Sequence, residues 1–310
     1  MISFSIAQFQ NFYKEEIIPV LSEFNRRRIK LLCFSCFLGG GFFLGVFVNW
    51  LFNLFVLTIL IFGVSIYGLF HVSYIGLNFK IAYKTSLTSF MMKYFMQAPE
   101  IIDLSYKVHQ WVDKKVYLES GFFPENLASF KGYGQMEGKV GEVSFTLSEL
   151  QVMKTSKMDN KIVPQFEGFF LHGKLPFKTT GAAIIWSRKE KQAVHSAIRK
   201  FTWLGAENKD AEQHNHLFKS LFATYASPET LTGHILSEAV QEMMIRFYQK
   251  TGRALYFSYV ERDIYVAVSA PVNLLTIPLF KKFRPDTSIL TFLEIHLILF
   301  SILQEFDFHH

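Results

Sequence analysis

Between Leu31 and Leu77 the chain carries two apolar runs and no Asp, Glu, Lys or Arg. The first, LLCFSCFLGGGFFLGVFV, covers residues 31–48, and the second, LFVLTILIFGVSIYGLFHVSYIGL, covers 54–77. About 20 apolar residues cross a hydrocarbon core as a helix, and a helix satisfies its own backbone there. The link at 49–53 is short and uncharged, so the runs are expected to form a transmembrane helical hairpin with Trp50 at the interface. A cleaved secretory signal is not expected. Such a signal is short and ends at a small-residue site, whereas residues 1–30 precede the first run and no A-x-A separates it from the second.

Charge sets the expected orientation. Arg26, Arg27, Arg28 and Lys30 abut the first run; Lys80, Lys84 and Lys93 follow the second; the link has no basic residue. Basic residues stay on the cytoplasmic side, which places both termini in the cytoplasm. The net charge of +6 includes this cluster and is modest for 310 residues. It is not the footprint of a nucleic-acid binder.

The first run holds two further motifs. Cys33 and Cys36, the chain's two cysteines, are three apart and share a helix face. Their apolar setting favours packing, while the nearby Arg28 and Lys30 leave thiolate chemistry open. Gly39, Gly40 and Gly41 lack the preceding strand and following Lys of a phosphate loop. With Gly45 they are expected to pack helices closely, complemented by Gly63 and Gly68.

Before the hairpin, Ile6, Phe9, Tyr13, Ile17, Val20, Leu21 and Phe24 recur at helical spacing, with Pro19 expected to kink the helix. The stripe suits either a membrane surface or the protein's own soluble part. After the hairpin, 81–118 read as helical. Strands are then expected at KVGEVSFTLSEL, with Val143, Phe145 and Leu147 on one side, at VPQFEGFFLHGKLP, at GAAIIWSR and at LFKSLFATYAS. A helix is expected from Ser227 as N-cap, through Leu231, Ile235, Ala239, Met243 and Phe247, to Gly252. ALYFSYVERDIYVAVS reads as a hairpin turning at 261–263. A last apolar helix over 287–305 carries Glu294 and His296 mid-run and reads as buried or membrane-leaning. The expected fold is α+β: an N-terminal amphipathic helix (1–30), a two-helix transmembrane hairpin (31–77), a helical connector (78–118) and a cytoplasmic antiparallel-sheet domain with packed helices (119–310).

Chemistry is sparse. In ENKDAEQHNH, His214 and His216 with Asp210 and Glu212 are weak metal-ligand candidates. Glu149 and Glu167 fall on neighbouring expected strands and are the candidate carboxylate pair. Lys281, Lys282 and Arg284 in LFKKFRP are candidates for contact with anionic headgroups. No G-x-S-x-G, H-E-x-x-H, Walker loop or G-x-G-x-x-G stands in its required context. No cofactor is expected.

The ordered set FQNFYKEEIIPVLSEFNRRRIK, YLESGFF, YGQMEGKVGEVSFTLSELQV, FEGFFLHGKLP, FATYASPETLTGHILSEAVQEMMIRFYQKTGRALYFSYVERDIYVAVS and LFKKF resembles the bacterial membrane-protein family catalogued as domain of unknown function 3137. The resemblance implies a two-span inner-membrane protein with a cytoplasmic domain, and no established activity. The expected function is therefore binding of a protein or lipid partner at the inner membrane face. The alternative is a membrane-tethered enzyme whose site carries no recognisable motif.

Overall fold

A computed structural model describes residues 6–52, 55–123, 127–156, 160–176, 181–189, 206–210, 213, 215–230, 236–278 and 285–308. The chain divides into two compact units, one taking in Ser5–Met91 and Leu275–Ile289, the other Met92–Leu274 and Leu290–His310.

In the helical unit, α1 (Ile6–Phe12) passes through a π turn (Tyr13–Ile17) into α2 (Ile18–Phe52). The π turn lies just ahead of Pro19, whose ring cannot sit against the carbonyl four residues back. Phe9, Ile17, Leu21 and Phe24 of the amphipathic stripe are buried. Phe24 packs on Phe79 and Tyr83 of α3 (Phe55–Phe95), with ring centroids 5.6 and 5.2 Å apart. The stripe therefore packs on protein.

The α2–α3 contact is close where glycine permits it. A Cβ at Gly45 would stand 2.9 Å from Ile61, and one at Gly68 would stand 2.7 Å from Leu38. Phe42 stacks on Phe62 at 4.3 Å, and Thr58 donates to the Gly45 carbonyl. Gly39, Gly40 and Gly63 face open space. Of the triplet only Gly41 meets α3, its Cβ position lying 3.7 Å from Ser65 Oγ.

The second unit is α+β, as expected. Its elements are β1 (Ile101–Lys107), α4 (Lys114–Glu119), β2 (Leu127–Val140), β3 (Val143–Thr155), β4 (Ile162–Lys174), β5 (Ala182–Ser187), β6 (Glu207–Asn208), α5 (His216–Leu221), β7 (Phe222–Ala226), α6 (Glu238–Thr251), β8 (Leu255–Val260) and β9 (Asp263–Ser269), followed by the main length of α7 (Pro285–Phe308). The described strands form one antiparallel sheet, ordered β1-β2-β3-β4-β9-β8-β5-β7-β6. Period-two alternation gives it two buried faces. One carries Leu150, Phe170, Ile184, Trp186 and Tyr256 under Tyr117, Phe122 and Phe123. The other carries Phe145, Phe169 and Phe257 under α7, whose Phe300, Phe292 and Phe306 lie 5.3, 5.7 and 5.7 Å from them in turn.

Three local expectations change. Residues 81–118 are helical to Phe95 and again in α4 from Lys114; between them Ile101 and Ser105 pair with Val140 and Glu137, so sheet pairing overrides the helical pattern there. Leu217–Leu221 is helical because Asn215 accepts from the Leu217 and Phe218 N–H groups, and the strand starts at Phe222. The long helix begins at Glu238, capped by Ser237, whose hydroxyl accepts from Val240 N–H at 3.2 Å. Ser227 instead receives the Ala182 N–H at 3.0 Å and pairs with Thr230, fastening the start of β5. Leu231 and Ile235 lie outside the described residues. Gly252, at φ +63°, closes α6 with its N–H on the Tyr248 carbonyl, as expected.

Candidate functional site

The hairpin exposes large apolar side chains along both of its helices. Phe37, Phe43, Phe47 and Trp50 on α2, and Phe55, Leu60, Val64 and Phe70 on α3, are all more than half exposed. A soluble monomer rarely shows an apolar patch beyond a few hundred Å². Three helices, α2, α3 and α7, are long and apolar enough to cross a membrane. Of their most apolar windows, 6%, 22% and 67% respectively is buried within the protein. Only the first two lack cover.

The basic residues flank this surface. Arg26, Lys30 and Lys80 are exposed. Arg27 pairs with Glu23 one turn back, and Arg28 donates to the Pro278 carbonyl at 3.1 Å. Lys84 is half-buried. Cys33 and Cys36 are free thiols, both exposed. Lys281, Lys282 and Arg284 lie outside the described residues.

Within the α+β unit, Glu149 and Glu167 do stand on adjacent strands and on one face. Glu149 is opposite Phe169, and Glu167 is opposite Gln151. The pair belongs to a larger polar ladder. Tyr133 donates to the Gln151 carbonyl oxygen at 3.0 Å, and the Gln151 amide donates to Glu167 at 2.8 Å. Buried Glu149 accepts the Leu274 N–H at 3.1 Å, fixing the segment that follows β9. Burial pushes the Tyr133 phenol up, and the charges of Glu149 and Glu167 push it further, against a bond from Asn273. A phenol so placed stays protonated and serves as a donor. Tyr133 comes into reach through the irregularity between Gly132 and Gln135 in the β2–β3 ladder. A bulge of this kind leaves no plain mark in sequence, although Gly132 and Gly134 hint at it.

The histidine-rich segment does not join this ladder. His216 opens α5, which packs beside β7, and five strand steps separate β7 from β3, roughly 24 Å. Asp210 is occupied: it pairs with Arg188 and accepts the Thr224 N–H at 2.8 Å. His214 and Glu212 lie outside the described residues.

Two further histidines hold defined positions: His172, which the sequence leaves unmarked, and His296, which it places mid-run in the last helix. His172 Nε2 lies 2.7 Å from Asp263 and its ring stacks on Tyr265 at 5.0 Å. Burial, then the charges of Asp263 and Glu119, push the Tyr265 phenol up. His296 on α7 is buried among Phe95, Phe169, Phe292 and Phe300. Its Nδ1–H donates to the Phe292 carbonyl at 2.8 Å, since a carbonyl can only accept. Burial pushes its pKa down to about 3, against that bond.

The model of the family described as "Protein of unknown function (DUF3137)" matches residues 164–308, from within β4 to the end of α7. The chain resembles that family. No curated protein matches it. A solved structure, the mycobacterial trehalose monomycolate transport factor A, TtfA, is similar at 7% identity, over 73% of this chain and 94% of that one, with a TM-score of 0.32.

Proposed function

We propose that the protein is an integral membrane protein of the bacterial inner membrane, in which α2 and α3 are two spans and both termini are cytoplasmic. The hairpin anchors an α+β domain that binds a partner at the membrane face. The observation that carries this reading is the uncovered apolar surface of α2 and α3, bordered by Arg26–Arg28 and Lys30 where α2 enters it and by Lys80 where α3 leaves it. Removing such a surface from water contributes roughly 25 cal/mol per Å². The expected roles of Arg26, Arg27 and Arg28 differ in strength, because Arg28 is tied to Pro278 while Arg26 and Lys30 remain exposed.

A protein partner suits the α+β domain better than a small substrate. Ile102 on the edge strand β1 and Trp111 beyond it are exposed apolar side chains on the same side of the sheet order. By contrast, the Glu149–Gln151–Glu167–Tyr133 ladder consumes its own hydrogen-bonding groups. The test combines topology with capture. Reporters active only outside the cytoplasm, fused at either terminus, should be silent, while one inserted at residue 53 should be active. A photo-crosslinker at position 111 should join a protein in native membranes. An active C-terminal reporter overturns the topology. A photo-crosslinker that labels only lipid overturns the protein partner.

A further inference from the structure

Helix α3 carries a second pattern on the side away from α2. Thr58, Ser65, Val72 and Phe79, which are buried, mark its inner face. Tyr67, His71, Tyr74 and Asn78 follow at intervals of four, three and four residues on the opposite face, all exposed. At 100° per residue these four fall within about 60° of arc. Tyr67 and His71 already lie ring against ring, 6.4 Å apart and nearly parallel. No hydrogen bond from any of the four closes the stripe upon other described residues. Ser73, off the stripe, is satisfied by the Leu69 carbonyl.

Depth decides what this stripe is. An aromatic belt at the headgroups accounts for Tyr74 and Asn78, close to Lys80. It does not account for Tyr67, which is thirteen residues, about 20 Å, from Lys80 and twelve, about 18 Å, from the start of α3 at Phe55. That is mid-span, in hydrocarbon, where an unpartnered phenol and imidazole are unfavourable and water is absent.

Resting on the two-span reading, we infer that this stripe is the interface with a second copy of the chain. Its groups carry donors and acceptors together: the tyrosine hydroxyls, the two ring nitrogens of the imidazole and the carboxamide. Like therefore pairs with like, and no charge opposes it. Two copies inserted with the same topology and related by a twofold axis along the membrane normal run their α3 helices parallel, so each stripe residue meets its own counterpart. Gly63, one turn beyond Tyr67 with nothing within 4 Å of where its Cβ would be, lets the backbones approach. A wholly donor or wholly acceptor stripe would have required a different partner.

The experiment uses the full chain in native membranes with Cys33→Ser and Cys36→Ser as background. Single cysteines are placed on the stripe (Tyr67→Cys, His71→Cys, Tyr74→Cys) and about a third of a turn off it on the exposed surface (Ile66→Cys, Ser73→Cys). On mild oxidation the stripe positions should form disulfide-linked dimers at least tenfold faster than the off-stripe pair. In nanodiscs the wild type should have the mass of two chains, and His71→Leu with Asn78→Leu should shift it to one. Equal crosslinking at all positions, or crosslinks to a different protein, overturns the inference. Carbonate extraction separates the two readings. A chain that stays in the membrane with no stripe-specific dimer overturns this inference alone, whereas a chain released by carbonate overturns the membrane reading and this one with it.

Discussion

Helices α3 and α7 are both long and apolar enough to cross a bilayer, but they meet opposite surroundings. On α3, Leu60, Val64 and Phe70 stand more than 60% exposed. On α7, Ile295, Leu299, Phe300, Ile302 and Leu303 are completely buried. The difference lies in what each helix is fitted to. The buried face of α7 meets a sheet whose Phe145, Phe169 and Phe257 pack against it, and two of its acidic side chains have partners outside the helix. Glu294 pairs with Lys250 at 2.8 Å, and Asp307 accepts the Glu142 N–H at 2.8 Å. Helix α3 has no charged residue before Lys80, and on the outer side of that stretch no described residue covers Leu60, Val64 or Phe70. An apolar helix becomes a core helix when a shaped surface covers it, and a span when none does.

Truncating a ring on each helix tests this most strongly. Phe300→Ala removes a side chain packed on Phe95 and Phe145, and should destabilise the α+β domain by about 3–5 kcal/mol. Phe70→Ala, on the outer face of α3, should change it by less than about 0.5 kcal/mol. Denaturant unfolding of the full chain in nanodiscs reads both, and equal effects would erase the distinction. Next in size is a charge. Leu60→Arg should lower membrane insertion of the hairpin by about 2.5–3.5 kcal/mol, whereas Leu290→Arg, on the exposed side of α7, should leave insertion unchanged. A matching loss at Leu290 in a glycosylation-mapping assay would show that α7 also crosses the membrane.

These two regions were not equally legible in the sequence. The hairpin was, because a run without charge over 31–48 and 54–77 is a one-dimensional signal. Alternation at Val143, Phe145 and Leu147 and the turn at Glu261 were local signals too, and these strands form where expected. The lost pieces depend on pairing. β1 is a strand because β2 lies beside it, and Ser227 fastens β5 because Ala182 is brought to it. The ladder followed the same rule. Glu149 and Glu167 could be placed on neighbouring strands, but Tyr133 and the Leu274 N–H reach them through register and a bulge.

His296 sharpens the comparison with pH. Its folded-state pKa of about 3 lies below the ordinary 6.5, so the fold favours the neutral ring. Its contribution to stability is fully present above pH 6.5. As pH falls below that value the unfolded chain gains a proton that the folded one refuses, and stability is lost until about pH 3. The slope is about 1.4 kcal/mol per pH unit, or roughly 2 kcal/mol between pH 6.5 and 5. His296→Phe should flatten that part of the acid limb. An unchanged slope would show that another group titrates there.

The smallest effect separates glycines within the hairpin itself. A Cβ at Gly45 would come within 2.9 Å of Ile61 Cγ2 and 3.3 Å of its Cβ. Ile61 is β-branched and stiff at χ1, so the two helices must part slightly, and Gly45→Ala should loosen the hairpin by about 1 kcal/mol. Gly40, in the middle of the triplet, meets nothing within 4 Å. There alanine only removes backbone freedom from the unfolded helix, and Gly40→Ala should be neutral or stabilising by a few tenths of a kcal/mol. Fluorescence energy transfer between labels at the two helix ends, read against denaturing detergent, distinguishes them. Equal shifts for both would mean that the glycine triplet, and not the close approach at Gly45, sets how the two helices meet.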